Sequence, residues 1–86
     1  MHIGKVINNK KNGTGISLYQ GGFYFEGTWK NDLKSGRGRL IDPTGSYYQG
    51  FWSNNQPNGL GIYVCLDPYW KYEGNWVDGK QNGRGK

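Results

Sequence analysis

Few side chains in this sequence could carry out acid–base, nucleophilic or metal chemistry. His2 is the only histidine and Cys65 the only cysteine, so there are too few ligands or nucleophile partners for a catalytic triad, a Cys–His pair or a multi-histidine metal site. Glu26 and Glu73 could act as an acid–base pair. They recur at the same position of a repeated motif, however, which favours a structural role such as bonding the backbone or a nearby lysine. We therefore expect a protein that is not an enzyme and that uses no metal or cofactor.

The elements that would position any functional side chain are sequence repeats. The motif aromatic-x-Gly-x-Trp has its glycine at Gly27, Gly50 and Gly74, and a degraded copy places Gly4 one period earlier, giving periods of 23, 23 and 24 residues. A Gly-x-Gly pair begins seven residues after each Trp. Such periods are typical of repeat proteins, which work through a repeated surface. The structural positions of the repeats are Phe25, Gly27, Trp29, Gly36, Gly38, Tyr48, Gly50, Trp52, Gly59, Gly61, Tyr72, Gly74, Trp76, Gly83 and Gly85.

Alternation of side chains with a period of two predicts two short strands in each repeat. The 16 glycines argue against helices, because Gly costs about 1 kcal/mol relative to Ala in a helix interior. Asn- and Gly-rich segments at 8–12, 31–35, 53–58 and 77–82 predict hairpin loops. We predict one all-β domain over residues 1–86, a single-layer antiparallel β-meander of tandem hairpins that is elongated and twisted. Aromatic rings would lie on the Gly-x-Gly pairs, where no Cβ obstructs them.

The tandem pattern resembles the MORN (membrane occupation and recognition nexus) repeat, with Phe25 and Gln49 departing from its commonest residues. The copies span residues 2–22 (degenerate), 25–45, 48–69 and 72–86 (truncated). The resemblance implies a curved, elongated sheet of hairpins and a structural role in interaction or tethering. Family members occur in cytoskeletal and ciliary assemblies and at membrane junctions. We therefore expect a scaffolding module in a larger cytoplasmic assembly, with a cilium, axoneme or other cytoskeletal structure as the leading setting.

Other protein subunits are the partners that the sequence favours. The segment between Gly45 and Leu66 has no charged residue, and uncharged areas with central aromatic residues commonly carry interface energy. The truncated last repeat should leave a sheet edge that a partner could complete. The alternative is that apolar residues here fill the protein's own core. The candidate contact residues are Phe51, Leu60, Ile62, Tyr69 and Trp70.

An acidic phospholipid is the alternative partner, because the chain has a net charge of +5 and lysine and arginine residues recur in its second and last repeats. Each surface Lys or Arg near an anionic leaflet contributes about 1 kcal/mol. The same residues could instead keep a thin sheet soluble and guard its edges. We expect no nucleic-acid binding, because the aromatic residues occupy repeat positions that packing already explains. The candidate lipid-binding residues are Lys30, Lys34, Arg37, Arg39, Lys80 and Arg84.

Overall fold

The computed structural model describes residues 1–82, which form one antiparallel sheet and contain no helix. Each strand pairs with its neighbours in sequence, so the sheet is the predicted all-β meander of hairpins. The predicted positions Gly83, Arg84 and Gly85 lie outside the described residues. In chain order the strands are β1 (His2–Ile7), β2 (Lys10–Leu18), β3 (Tyr24–Lys30), β4 (Leu33–Ile41), β5 (Tyr47–Ser53), β6 (Gln56–Leu66), β7 (Tyr69–Val77) and β8 (Lys80–Asn82).

Two-residue turns close the four hairpins at 8–9, 31–32, 54–55 and 78–79. All of these residues have positive φ, between 48° and 82°. This is the type I′ conformation, which matches the twist of the flanking strands and favours Asn, Asp and Gly. The predicted loops were too long, because polar residues such as Lys34 and Gln56 continue the strand ladder instead of leaving it.

Neighbouring turns are hydrogen-bonded to each other across the sheet. The main-chain N–H of Lys11 donates to Oδ1 of Asp32 (2.8 Å), and the Asp32 N–H donates back to the Lys11 carbonyl (2.9 Å). Lys34 and Asn55 form the same reciprocal pair, at 2.9 and 3.1 Å. The turns at 31–32 and 54–55 are therefore each held by the hairpin before them as well as by their own strands.

The last of these turn contacts has only one of the two bonds of the reciprocal pair. Gly79 donates its N–H to the Pro57 carbonyl (2.9 Å). Proline has no N–H to donate, and glycine has no side chain to accept a bond. The donor and the side-chain acceptor of the second bond are therefore both missing here. No main-chain N–H is left without a partner as a result.

A line of glycines crosses the sheet at right angles to the strands. The registers of β1 to β7 place one glycine of each strand directly opposite a glycine of the next. We call this line the glycine track; its members are Gly4, Gly15, Gly27, Gly38, Gly50, Gly61 and Gly74.

Aromatic rings cover the glycine track on one face of the sheet, as predicted. A Cβ on Gly38 would overlap the ring of Phe25, and a Cβ on Gly61 would overlap the ring of Tyr48. His2 takes the same place against Gly15, where a Cβ would lie 3.1 Å from Cε1 of the imidazole. Each ring thus lies over a glycine of the following strand, where a larger residue could not fit.

The rings also form a continuous series of edge-to-face contacts, which defines the aromatic face of the sheet. Neighbouring centroids lie 4.6 to 5.4 Å apart, and the ring planes differ by 75° to 88°. Such pairs contribute roughly 0.5–1.5 kcal/mol beyond their buried area. The core of this thin sheet is therefore built by rings covering one another, in the order His2, Trp29, Phe25, Trp52, Tyr48, Trp76 and Tyr72.

The two glycines of the Gly-x-Gly pairs at 36–38 and 59–61 have different roles, which the sequence prediction did not distinguish. Gly36 and Gly59 do not lie under a ring; they have positive φ of 69° and 103°. Each sits in a bulge where one residue of the first strand, Thr28 or Phe51, faces three residues of the second. Glycine adopts this conformation without steric cost and accentuates the local bend.

The molecule measures 40 × 25 × 14 Å. Eight strands spaced about 4.8 Å apart account for the long dimension, and the short one is that of a single sheet with its side chains. None of residues 1–82 forms a helix long and apolar enough to cross a membrane.

Candidate functional site: a groove on the second face

A groove of about 1160 Å³ runs along the face opposite the aromatic rings, from β1 to β7. Its floor is the backbone of the glycine track, and its walls are the side chains on either side of each track glycine. We call this side the groove face.

The strand registers arrange the wall side chains in two rows. The longer row combines apolar, acidic, basic and amide side chains, one from each strand. In order from β1 to β7 it consists of Ile3, Ile16, Glu26, Arg39, Gln49, Ile62 and Glu73. The opposite row includes Thr14, Arg37, Phe51 and Leu60, of which Arg37 and Leu60 emerge from the bulges.

Arg37 and Arg39 bring positive charge to the middle of the groove. The Arg37 guanidinium lies 5.5 Å from the centroid of the Phe51 ring. The Arg39 guanidinium donates to Oε1 of Gln49 at 2.6 and 3.0 Å and lies 5.3 Å from the Tyr47 ring. The salt bridge within residues 1–82 joins Lys11 to Asp32. Neither arginine therefore forms a salt bridge with a carboxylate of the described residues.

Ile3 and Ile16 bring apolar side chains to the groove from β1 and β2, and its other large apolar residues come from β5 and β6. Leu60 is 62% exposed and Phe51 is 40% exposed, whereas Ile62 is half-buried beside the floor. All three predicted contact residues therefore line one surface. Phe51 faces away from the buried Tyr48 and Trp52, as its position in the alternation indicated.

The remaining two predicted contact residues do not join this surface. Tyr69 and Trp70 belong to β7, and the turn before them has only two residues. Trp70 pairs with Cys65 and contacts the ring of Tyr63, which packs against the aromatic core. Tyr69 is exposed at the start of the strand, outside the groove.

The predicted basic residues do not form one surface either. Lys34 is on the aromatic face, where its Nζ lies 5.0, 5.2 and 5.8 Å from the centroids of three rings, Tyr19, Phe25 and Trp52. Lys30 and Lys80 are exposed beside hairpin turns, and the two arginines line the groove. Arg84 lies outside the described residues.

Sequence reasoning missed the groove residues Ile3, Ile16, Gln49 and both motif glutamates. The sequence did contain a signal for them. Each immediately precedes or follows a track glycine, so its side chain points to the face opposite the rings. Glu26 accepts a hydrogen bond from the Tyr24 hydroxyl (3.2 Å). Glu26 and Glu73 stand four strands apart, about 19 Å, which is too far for them to share a proton transfer.

Residues 1–82 contain no group of three or more His, Cys, Asp or Glu side chains arranged to hold a metal ion. What the groove offers is a long surface of mixed apolar and charged side chains above a backbone floor. Such a surface can bind; its described groups do not form an acid–base or nucleophilic set.

Four consecutive segments of the chain, residues 2–24, 25–47, 48–67 and 72–86, match the MORN repeat. The chain belongs to the MORN repeat family. MORN repeats are non-enzymatic and mediate interactions with proteins or membranes, so the MORN array described above is an interaction module. A comparison with curated proteins found no match.

Proposed function

We propose that this MORN array is a non-catalytic scaffolding module whose groove holds a polypeptide segment of a partner protein. The observation that carries the proposal is the contrast between the two faces. On the aromatic face Phe25, Trp29 and Tyr48 are buried by one another and by the track. On the groove face Phe51 and Leu60 are exposed although they line a continuous groove.

The dimensions of the groove fit a polypeptide better than a small molecule. Its volume of about 1160 Å³ exceeds the ~300–1,000 Å³ of typical small-molecule pockets. The seven strands that line it span about 29 Å, and the groove is open along that length. A chain segment can contact apolar and charged walls in succession, as a compact ligand cannot.

The setting that we propose is a larger cytoplasmic assembly, with a cytoskeletal or ciliary structure as the first place to look. The support for that setting is the family resemblance alone. Completion of the C-terminal sheet edge by a partner stays a prediction, because residues 83–86 lie outside the described part of the chain.

Selection of peptides from a random 20-residue phage library on the purified protein would test the groove. The variant Leu60→Lys places a charge in the groove, whereas Tyr69→Lys makes the same change at a comparably exposed residue outside it (62% and 68% exposed). We expect peptides that bind the wild type and Tyr69→Lys but not Leu60→Lys. Tryptophan fluorescence and thermal melting of both variants would show that each remains folded.

Two outcomes would count against the proposal. One is that repeated selection gives no peptide whose binding depends on Leu60. The other is that binders are lost in Tyr69→Lys and retained in Leu60→Lys, which would place the contact surface at the start of β7.

A further inference from the structure

We propose that molecules of this protein associate end to end, with the edge strand β8 of one molecule pairing with the edge strand β1 of the next. The groove takes no part in this contact, so the inference is independent of the proposed function. It follows from the hydrogen-bonding groups and the exposed side chains at the two ends of the sheet.

The two edges reproduce the two sides of every junction between hairpins. Inside the sheet, successive hairpins are joined by the pairs β2–β3, β4–β5 and β6–β7. β1 is the first strand of its hairpin, like β3, β5 and β7, and β8 is the second strand, like β2, β4 and β6. Among residues 1–82 no strand lies on the outer side of β1 or β8. A second molecule placed in line would offer each edge the kind of strand that it meets inside the array.

The turn after β1 carries the groups of the reciprocal turn contact, but they are not used. Asn9 is the second residue of its turn and has a φ of 64°. At the same place in their turns, Asp32 and Asn55 each bind the preceding hairpin through a side-chain oxygen and a main-chain N–H. Asn9 forms no such bond within residues 1–82. The β1 edge therefore presents one acceptor and one donor without partners.

Gln81 presents the complementary groups at the other edge. It pairs with Trp76 in β7 as Lys34 pairs with Trp29 in β3. Lys34 directs its main-chain N–H and C=O away from its own hairpin, to the turn of the next one. The same register directs the main-chain groups of Gln81 to the outer side of β8. Gln81 of one molecule and the turn after β1 of the next can therefore exchange the same two hydrogen bonds.

Val6 occupies the position that tryptophan has in the later repeats. It pairs with Lys11 as Trp29 pairs with Lys34. Val6 is 53% exposed, whereas Trp29 is 3% exposed. The ring of His2, in the preceding hairpin, is one of the groups that cover Trp29. An end-to-end contact would give Val6 a neighbour of the same kind and remove apolar surface from water.

That neighbour is Tyr72, at the far end of the ring series. Across the last junction inside the sheet, the Trp76 and Tyr48 rings lie 5.0 Å apart. Val6 of the next molecule would stand over Tyr72 in the same relation. Valine is smaller than tryptophan, so this contact buries less apolar area than an internal junction does. We therefore expect association that is reversible.

The contact joins two different surfaces, so it does not close on itself in a pair. A heterologous contact whose rotation does not close a ring generates an open series. Here the step from one molecule to the next repeats the step from one hairpin to the next, and the series would be a twisted ribbon. The charge of +5 on each molecule opposes this association, and salt screens that repulsion.

Sedimentation velocity of the full chain would test the proposal. Concentrations from about 5 to about 500 µM are suitable, because a single strand pair is smaller than a standard interface and binds weakly. At about 0.5 M salt we expect the average mass to rise continuously with concentration and to pass that of a dimer. At about 0.05 M salt the rise should begin at higher concentration.

Two variants remove the same hydrogen bond from opposite sides. Asn9→Gly keeps a residue that accepts positive φ and loses the side-chain oxygen, and Gln81→Pro copies Pro57, which has the same place in its own strand. Each should raise the concentration of half-association roughly fivefold. The double variant should be no weaker than the weaker single variant, because the bond can be lost only once. Asn8→Gly is the matched control in the same turn and should change association little.

Val6→Trp tests the contact in the opposite direction. Tryptophan at this position should cover Tyr72 of the adjacent molecule, so association should begin at concentrations roughly fivefold lower or less. Thermal melting at about 5 µM, where a weak strand pair is mostly dissociated, would show that each variant is folded.

Three results would overturn the inference. The first is a mass that stays at that of one chain throughout the range, in the wild type and in Val6→Trp. The second is a plateau at two chains that Gln81→Pro leaves unchanged, which would mean that two β1 edges pair with each other. The third is additive losses in the double variant. None of these results bears on peptide binding in the groove, which the library selection tests separately.

Discussion

The ring of Tyr48 lies over Gly61 of the neighbouring strand, and its hydroxyl donates to the Phe51 carbonyl at 2.9 Å. The ring occupies the space that a Cβ at position 61 would need. This contact links the two strands of one hairpin on the aromatic face, and Phe25 over Gly38 repeats it one period earlier.

Gly61→Ala should destabilise the fold by roughly 2–3 kcal/mol, in the range of overpacked cores. The new methyl group would overlap the Tyr48 ring, which is held by its hydrogen bond. Chemical denaturation of the single variants and of Gly61→Ala in a Tyr48→Ala background would measure the coupling. If the cost of Gly61→Ala were unchanged when the ring is absent, the ring-on-glycine explanation would be wrong.

The hydrogen bond between neighbouring turns predicts an asymmetry between two turn positions. Asn55→Gly keeps a residue that accepts positive φ but removes the acceptor for the Lys34 N–H, so we expect a loss of roughly 1 kcal/mol. Gly79→Asn is the matched control, because Pro57 has no N–H to bond and the site has room for a Cβ. It should change stability little. Urea titrations of both variants would check this. Equal effects would show that the bond between neighbouring turns does not stabilise the fold.

Stability should decrease in mild acid because of His2. Burial against its neighbours, followed by the Lys11 charge, lowers the pKa of His2 below its ordinary 6.5. Its Nδ1 lies 2.6 Å from Ser17 Oγ, and its ring packs edge-on against Trp29. Folding therefore favours the neutral imidazole, so this contribution is complete above about pH 6.5 and is lost as the pH falls through the folded-state pKa.

The measurement is the melting temperature from pH 7.5 down to 5 for the wild type and His2→Tyr. Tyrosine restores the residue type of the later repeats and cannot be protonated in this range, so this variant should be more stable and should lack the acid-dependent loss between pH 6.5 and 5. A parallel decline in both proteins would show that other groups cause it.

Stability should also fall in alkali because of Tyr48. Burial raises the pKa of Tyr48 from 10.0 to about 12. The neutral phenol is favoured in the folded state, so its contribution is complete below pH 10 and decreases as the pH rises from 10 to 12. Two pKa units set an upper limit of roughly 3 kcal/mol, which solvent screening at the hydroxyl reduces. Denaturant titrations at pH 9 and 11 should show a smaller loss for Tyr48→Phe than for the wild type, and equal losses would exclude Tyr48 as the cause.

An acidic membrane cannot contact all of the basic residues at once, because they are distributed over both faces and the hairpin ends. Lys34 is enclosed by three rings, and Arg37 and Arg39 lie in the concave groove. We therefore expect little co-sedimentation with phosphoinositide-containing vesicles at about 0.15 M salt. Strong binding that Lys30→Glu or Lys80→Glu abolished, with Arg37→Glu as the groove control, would instead favour the hairpin ends as a membrane surface.

The sequence predicted the hairpins and the ring-on-glycine packing because both follow from local rules. Period-two alternation placed the side chains of Phe51 and Trp52 on opposite faces of the sheet. The absence of a Cβ explained why a glycine is needed at position 61, under a ring. The prediction that a ring covers each glycine of the pair was wrong for Gly59. A bulge depends on the register between strands, which the sequence does not show. The sequence also could not separate Lys34 from Arg37, because the bulge between them changes which face each side chain occupies.

Because the groove and the aromatic core lie on different faces, the groove residues can be substituted without changing the residues of the core. Leu60 and Arg37 contribute nothing to the ring series, so substitutions there leave the aromatic core intact. Their immediate neighbours Gly61 and Gly38 have no such freedom. Homologous arrays could therefore diverge in partner preference at every second position of a strand while keeping one backbone, and a repeat duplicated within the array would lengthen the recognised segment without a new core.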